Sequence, residues 1–387
     1  MKKNISRVIS RTEACILWGL AAGRCEFHGC NKLLYCSEIS GDQGNFSNQA
    51  HIYSFESNGP RGHTPLNKNP GKINSIENLM LLCPEHHKNI DTAEYISKYP
   101  TELLLQWKKE HEDRIRLVTS INSNCISHVL IYQANIHGKF TSISTSEAQV
   151  ALFKEGRYPE NSTNSINLSM QWEKGEHQKT FWQEEQENLH SRFNQDINPV
   201  LKTSKSPHFS LFALAPMPLL VELGSLLTDR TDVDVYQPIK EPKGWIWPND
   251  QIPFDYTIIK PEKMTGIPVL VLSLSDYIAT SRISDTLGYD TSLWQIITPK
   301  QFRHNDHLRS KTQLRQYRNT LRLLLAEIRF SHGHHQPLHI FLAAPVACCI
   351  ELGRIRTQKV DPLWILYDHV QPQNQFIKTI TIGESHE

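Results

Sequence analysis

The sequence predicts an α/β chain in two parts: a small, loop-rich N-terminal domain over 1–119 and a larger domain over 120–387 built from two Rossmann-like halves, about 120–260 and 261–387. Three observations predict it. The chain has 387 residues, more than one ordinary compact core accommodates. Of its eight cysteines, Cys25, Cys30, Cys36 and Cys83 form a cluster that lies early. The pattern Ala-Pro-x5-Glu-Leu-Gly occurs twice in the second part, at 215–224 and 344–353.

In the first part, residues 12–22 (TEACILWGLAA) read as a short helix that Gly23 ends just before Cys25. Residues 40–76 are rich in Gly, Asn, Ser and Pro and read as a long functional loop around Ala50-His51. Residues 84–97 fit a helix with Pro84 in its first turn, and 101–118 an amphipathic helix capped by Thr101. In the second part, HVLIYQANI (128–136) and IPVLVLSLS (267–275) have the continuous apolar character of strands buried on both faces of a parallel sheet. Each Ala-Pro follows a strand and opens a helix, and a further strand comes next (233–237 and 363–367). In such sheets, ligands sit beyond the carboxyl ends of strands, where helix N-termini offer N–H groups to phosphate. Ala215, Pro216, Ala344 and Pro345 are therefore candidate ligand-binding positions.

Composition narrows the functional classes. Hydrophobic residues make up 39% and charged residues 21%, an ordinary globular balance. The formal charge is +1, so a nucleic-acid partner has to be argued from site chemistry rather than overall electrostatics. The opening MKKNISRVIS runs on without a signal-peptide core, and no stretch approaches the roughly 18 apolar residues of a membrane span. A cytoplasmic protein with no membrane partner is expected. In a reducing compartment, clustered cysteines read as metal ligands.

Cys25-x4-Cys30 and Cys83-x2-His86 form two pairs on either side of a long insertion and supply the four ligands of a structural Zn2+ site, with Cys36 or His28 as alternatives for one place. That zinc would pin the two ends of a polar loop together. Between the pairs stand QAHI (49–52) and the run NSIENLMLLCPEHHKNID (74–91). This order resembles the HNH nucleases with the ββα-metal fold, in the subgroup whose first strand reads A-H-I and whose helix begins L-C-x-x-H-H-x-x-x-D. The resemblance implies that His51 is the general base, that Asn78 orients it or fixes the loop, and that His87 binds a catalytic Mg2+ or another divalent cation. His86 and His87 point about 100° apart on a helix, so one can serve the zinc and the other a cleft. Asp91, one turn after His87, can reach the same metal. Many HNH enzymes carry a metal ligand immediately before the base, where this chain has Ala50. Either Asp91 or another group completes the shell, or His51 is itself a ligand.

An HNH unit followed by a duplicated Rossmann-like domain resembles the HNH–SAVED effectors of bacterial anti-phage signalling (CBASS), whose SAVED part is a pair of CARF-like halves. The repeat, the LSLS strand at 272–275, Trp245-x-Trp247 and the domain order carry this. It implies a bacterial, cytoplasmic, metal-dependent endonuclease that cuts double-stranded DNA after binding a cyclic di- or trinucleotide. A partner cyclic-nucleotide synthase makes that activator, and the effector forms a homo-oligomer on activation. Trp172, Phe181, Trp245 and Trp247 are candidate surfaces for stacking bases. The stretch 306–329 reads as a helix with Arg309, Lys311, Arg315, Arg318, Arg322 and Arg329 on a basic face, open to solvent, ligand phosphate, a second protomer or DNA. Two rival readings stay open: a restriction-type HNH endonuclease whose C-terminal domain reads DNA or a modified base directly, and a non-catalytic zinc-binding adaptor.

Overall fold

A computed structural model describes residues 8–62, 66, 70–136, 138–161, 164–169, 180–250, 255–288, 290–370 and 375–383. Trp172 lies outside the described residues. The chain separates into two compact units, Met1–Asn122 and Ser123–Glu387.

The first unit opens with helix α1 (Arg11–Leu20). The Ser10 hydroxyl accepts the Glu13 N–H while the Glu13 carboxylate reaches back to the Ser10 N–H, a reciprocal cap that satisfies two amides with no earlier partner. Gly23 follows with φ +63, at a place where a Cβ would lie 2.9 Å from the Tyr35 ring. Strand β1 (Asn48–His51) pairs antiparallel with β2 (Leu79–Leu82), in a register that sets His51 opposite Leu79 and Asn48 opposite Leu82. Helix α2 (Pro84–Asp91) leaves β2 after one residue, Cys83, and has Pro84 where a missing N–H costs nothing. It ends at Asp91, six residues earlier than its composition suggests, because Thr92 turns to extended backbone and its hydroxyl takes the Lys88 carbonyl (2.8 Å). Helix α3 (Thr101–Thr119) starts after Pro100, which holds the cap position without a side-chain bond, so Thr101 lies buried in the first turn rather than capping it. Buried Lys108 on α3 lies against Glu26 (3.9 Å) and Glu112 (2.5 Å), and Glu26 in turn accepts the Leu81 N–H (2.6 Å).

In the second unit, β3 (Ile126–Gln133) and β6 (His208–Leu214) are parallel neighbours, and β6 is followed in the sheet by parallel β7 (Asp232–Val235). Two short strands, β4 (Tyr158–Pro159) and β5 (Ile166–Asn167), pair parallel with β3, and helices α4 (Thr145–Lys154) and α5 (Phe181–Arg192) lie in the same half. Helix α6 (Met217–Leu227) joins β6 to β7, and a small antiparallel pair, β8 (Ile239–Lys240) and β9 (Lys243–Gly244), follows.

The second half has six strands in the order β10 (Thr257–Ile259), β12 (Thr291–Ile297), β11 (Ile267–Ser273), β13 (Leu338–Ala343), β14 (Trp364–Val370), β15 (Gln375–Ile382). Its four central strands are parallel, and an antiparallel strand closes each edge. Helix α7 (Thr280–Leu287) and the long α8 (Lys311–His332) precede β13, and α9 (Val346–Arg354) joins β13 to β14.

The duplicated Glu-Leu-Gly has a packing cause. A Cβ on Gly224 would sit 2.0 Å from the Ile350 carbonyl oxygen, and one on Gly353 would sit 1.9 Å from that of Val221. Helices α6 and α9 thus cross backbone against backbone at paired glycines, and only glycine allows that approach. Their apolar faces merge with residues of both sheets in one core that includes Leu219, Leu223, Ile350 and Leu352.

Candidate functional sites

In the first unit, the loop after α1 and the turn into α2 bring Cys25, Cys30, Cys83 and His86 together, with all four ligand atoms within 4.8 Å of one another. Cys83 Sγ and Cys25 Sγ lie 3.1 and 3.8 Å from His86 Nδ1, and the Cys83 N–H donates to Cys25 Sγ (3.3 Å). Phe27 stacks on the His86 ring at 3.9 Å and fixes its plane. Burial pushes the Cys25 thiol far up from its ordinary range, opposed by backbone N–H groups of Cys83 and Phe27. Three crowded thiols and one imidazole fit a tetrahedral cation of zinc type, which holds thiolates at about 2.3 Å. Cys36 and His28 stand outside the cluster: Cys36 Sγ donates to the Gly41 carbonyl (3.4 Å), and exposed His28 lies 3.8 Å from Glu110.

On the other side of α2, His87 turns away from the cluster. Its Nδ1 lies 3.1 Å from Asn48 Nδ2 on β1, and its Nε2 lies 3.5 Å from Asp91 Oδ2 one turn on. The remaining oxygen of Asp91 accepts from Arg61 Nη2 (2.8 Å). Arg61 also donates to the carbonyls of Ile52 (2.8 Å) and Ile90 (2.7 Å), so one nearly buried guanidinium ties the end of β1 to the end of α2. His51 Nε2 lies 2.9 Å from Asn74 Oδ1, with the Phe55 ring edge-on at 6.0 Å. With Oδ1 as acceptor, the imidazole proton resides on Nε2 and the Nδ1 lone pair is left basic.

Asn78 is 1% exposed and wholly committed to backbone: its Oδ1 accepts the Tyr53 N–H (2.8 Å), and its Nδ2 donates to Tyr53 O (3.0 Å) and Ile73 O (2.8 Å). Of the two roles the resemblance allowed, it therefore fixes the loop, and Asn74 holds the histidine ring. Sequence reasoning missed Asn74, Asn48 and Arg61. Asn74 heads the NSIEN run and Asn48 opens β1 just before QAHI, but an asparagine at either place has no spacing signature. Arg61 is a lone cation between Pro60 and Gly62, with φ +54.

In the second unit, both Ala-Pro turns line one cavity of about 420 Å³, with Met217, Gln237, Lys240, Asp368 and His369. The turns interlock: the Ala344 N–H meets Met217 Sδ (3.4 Å), and the Ala347 N–H donates to Gln237 Oε1 (3.0 Å). Pro216 and Pro345 hold the cap positions of α6 and α9 without a cap bond of their own, and Gln237 takes one first-turn amide of α9. The cavity floor is apolar, with a few polar groups converging on it, as a nucleotide-sized ligand requires. Trp245 and Trp247 do not line it. Both are core residues, 5% and 3% exposed, and Trp245 meets Phe212 edge-on at 5.3 Å, so neither offers the free stacking face expected of it. Phe181 is likewise buried against Trp182 (5.2 Å).

The basic face of 306–329 is also largely spent within the fold. Helix α8 begins at Lys311, and Arg309 pairs with Asp250 and Asp306, Lys311 with Glu155 and Asp234, Arg318 with Glu351, Arg322 with Asp229 and Arg329 with Asp361. No helix among the described residues is long and apolar enough to cross a membrane.

Comparison with known proteins agrees with both halves of this geometry. The family described as HNH endonuclease matches residues 28–94, and the SMODS-associated and fused to various effectors sensor domain, SAVED, matches residues 189–382. No curated protein matches the chain. Among solved structures, it is similar to the Acinetobacter baumannii Cap4 SAVED/CARF-domain containing receptor with the cyclic trinucleotide 2'3'3'-cAAA: 13% identity, 78% of this chain, 61% of that one, TM-score 0.42. The same receptor with 3'3'3'-cAAA gives 11% identity, 75%, 60% and 0.44. A Moraxella osloensis Cap4 SAVED/CARF-domain containing receptor gives 11%, 77%, 65% and 0.39. The chain thus spans about three fifths of the length of the Acinetobacter receptors. With half its length matched by the sensor model, the chain belongs to the SAVED family, its sensor domain joined to an N-terminal HNH endonuclease unit.

Proposed function

We propose that this protein is a metal-dependent DNA endonuclease switched on by a cyclic oligonucleotide, acting in anti-phage defence by abortive infection. The observation that carries the reading is the pairing, in one chain, of a histidine held for base chemistry on an HNH strand with a sensor cavity lined by two helix N-termini. His51 is the general base: Asn74 holds its Nε2–H, so Nδ1 takes the proton of the attacking water. Asn78 sets the loop that carries Tyr53 and so fixes where β1 ends. His87 Nε2 and Asp91 are the ligands for a divalent cation such as Mg2+, with Asn48 at the other ring nitrogen of His87 and Arg61 holding Asp91 in place. That cation, when bound, neutralises charge growing on the phosphate and the leaving oxygen. The zinc at Cys25, Cys30, Cys83 and His86 is structural, because its four positions are filled by protein.

In the sensor domain, residues 120–387, a cyclic di- or trinucleotide places phosphates at the starts of α6 and α9, near Ala215-Pro216 and Ala344-Pro345, and its bases on the apolar floor. Its source is a partner cyclic-nucleotide synthase in the bacterial cytoplasm, and the bound state is a homo-oligomer that cuts double-stranded DNA. Internal pairing of the α8 cations weighs against that helix as a direct DNA reader, the rival restriction-type reading. The test incubates the full chain and a His51→Ala variant with plasmid and Mg2+, with and without a panel of cyclic oligonucleotides. Cleavage by the wild type only with a panel member, and none by the variant, is expected. Constitutive cleavage overturns the sensor role, and no cleavage at all overturns the nuclease.

A further inference from the structure

Beyond the Ala-Pro cavity, the sensor domain buries a guanidinium that has no counter-ion among the described residues. Arg356, just after α9, is 5% exposed, donates from Nη2 to the Pro362 carbonyl (3.2 Å), and has an Nε that meets no acceptor among the described residues. The acids near it are engaged elsewhere. Glu222 accepts from His190 (2.6 Å) and Gln186 (3.3 Å), while Asp361 is taken by Arg329 and by the Thr357 N–H (2.5 Å). Arginine does not shed its proton in a protein, so this charge is desolvated without an ion-pair partner among the described residues.

Arg356 faces a cavity of about 530 Å³, walled by α5 and α6 from the first half and by Lys359 and β15 from the second. Glu222 also lines it, but it is already engaged by His190 (2.6 Å) and Gln186 (3.3 Å). The remaining lining charge comes from Arg356 and Lys359 and is positive. Ser225 and Thr381 add polar groups, and Leu226 and Ile382 add apolar wall. The volume exceeds what a bare phosphate fills and suits a nucleoside monophosphate. Leu226 is nine residues from Met217, so the two cavities lie about 14 Å apart along α6.

We propose that this cavity is a second anion site, taking a phosphate-bearing small molecule with Arg356 as its buried anchor and Lys359 at its rim. The site does not depend on what occupies the Ala-Pro cavity. Because its groups come from both halves, an occupant bridges them across α6.

Titration calorimetry on the full chain tests this with three probes: AMP, inorganic phosphate and uncharged adenosine. AMP should bind at millimolar affinity or better, and adenosine at least tenfold more weakly. AMP tenfold tighter than phosphate assigns a nucleotide, and equal affinities assign the phosphate group alone; both support the anion site. Lys359→Glu, at the exposed rim, should weaken AMP at least tenfold, and Arg356→Lys should do so wherever its circular dichroism matches the wild type. Ala344→Glu, in the other cavity, should leave AMP binding unchanged. The proposal is overturned by no binding of AMP or phosphate, by indifference to Lys359→Glu, by adenosine binding as well as AMP, or by loss of AMP binding in Ala344→Glu.

Discussion

The two asparagines of the HNH loop divide their labour at the scale of single atoms. Asn78→Ala removes three buried hydrogen bonds and strands their backbone partners, which costs about 3 kcal/mol and lowers the melting temperature. Asn74→Ala leaves those bonds intact and frees the His51 ring, so cleavage should slow about tenfold at an unchanged melting temperature. If both variants melt alike, the division is wrong. A second residue-scale prediction concerns acid. Burial holds His307 down at about 4, against the His304 carbonyl that accepts its Nδ1–H. Unfolded, a histidine titrates near 6.5, so between pH 6.5 and 4 the unfolded chain binds the extra proton and stability falls as pH falls. Urea denaturation at pH 7.5 and 4.5 should show the wild type losing about 2–3 kcal/mol more than His307→Gln, and equal losses would refute the burial. The clustering of Cys25, Cys30, Cys83 and His86 was legible because metal coordination fixes residue type and spacing, whereas His51, Asn78 and His87 were singled out by the family resemblance. Asn74, Asn48 and Arg61 were not, because each acts through a hydrogen bond to a residue far along the chain, a pairing that no spacing encodes.

Among the secondary-structure elements, the crossing of α6 and α9 makes the sharpest prediction. Gly224→Ala or Gly353→Ala drives a methyl group into the facing carbonyl, and each should cost about 1–3 kcal/mol by calorimetry as the helices part. An unchanged melting temperature would mean that the helices are not in backbone contact. The zinc site makes an element-scale claim too, since it joins the loop after α1 to the start of α2. Cys83→Ala should lose its zinc by elemental analysis and destabilise the first unit; full zinc content would refute the four-ligand set. The sequence repeat announced the paired strand–turn–helix units, yet not why glycine stood in both. The basic helix misled because the carboxylates that consume its charge, Glu155, Asp229, Asp234 and Asp361, come from distant segments. The tryptophans misled because a large ring serves a core and a stacking face equally well in sequence.

At the scale of the whole molecule, the chain joins two kinds of chemistry that need each other only if ligand binding and cleavage share a free energy. A ligand that binds resting and active states equally shifts nothing, so the proposed function requires an activator that favours the cutting state. The family matches locate the sensor at 189–382 and the HNH unit at 28–94. The most direct measurement is the single-turnover rate of plasmid cleavage by the full chain, titrated with its activating cyclic oligonucleotide, beside the same titration of Ala344→Glu. The account predicts negligible cleavage without ligand, a saturable rise with it, and a midpoint at least tenfold higher in the variant at equal zinc content. Full cleavage without ligand, or superimposable curves for the two proteins, would contradict it.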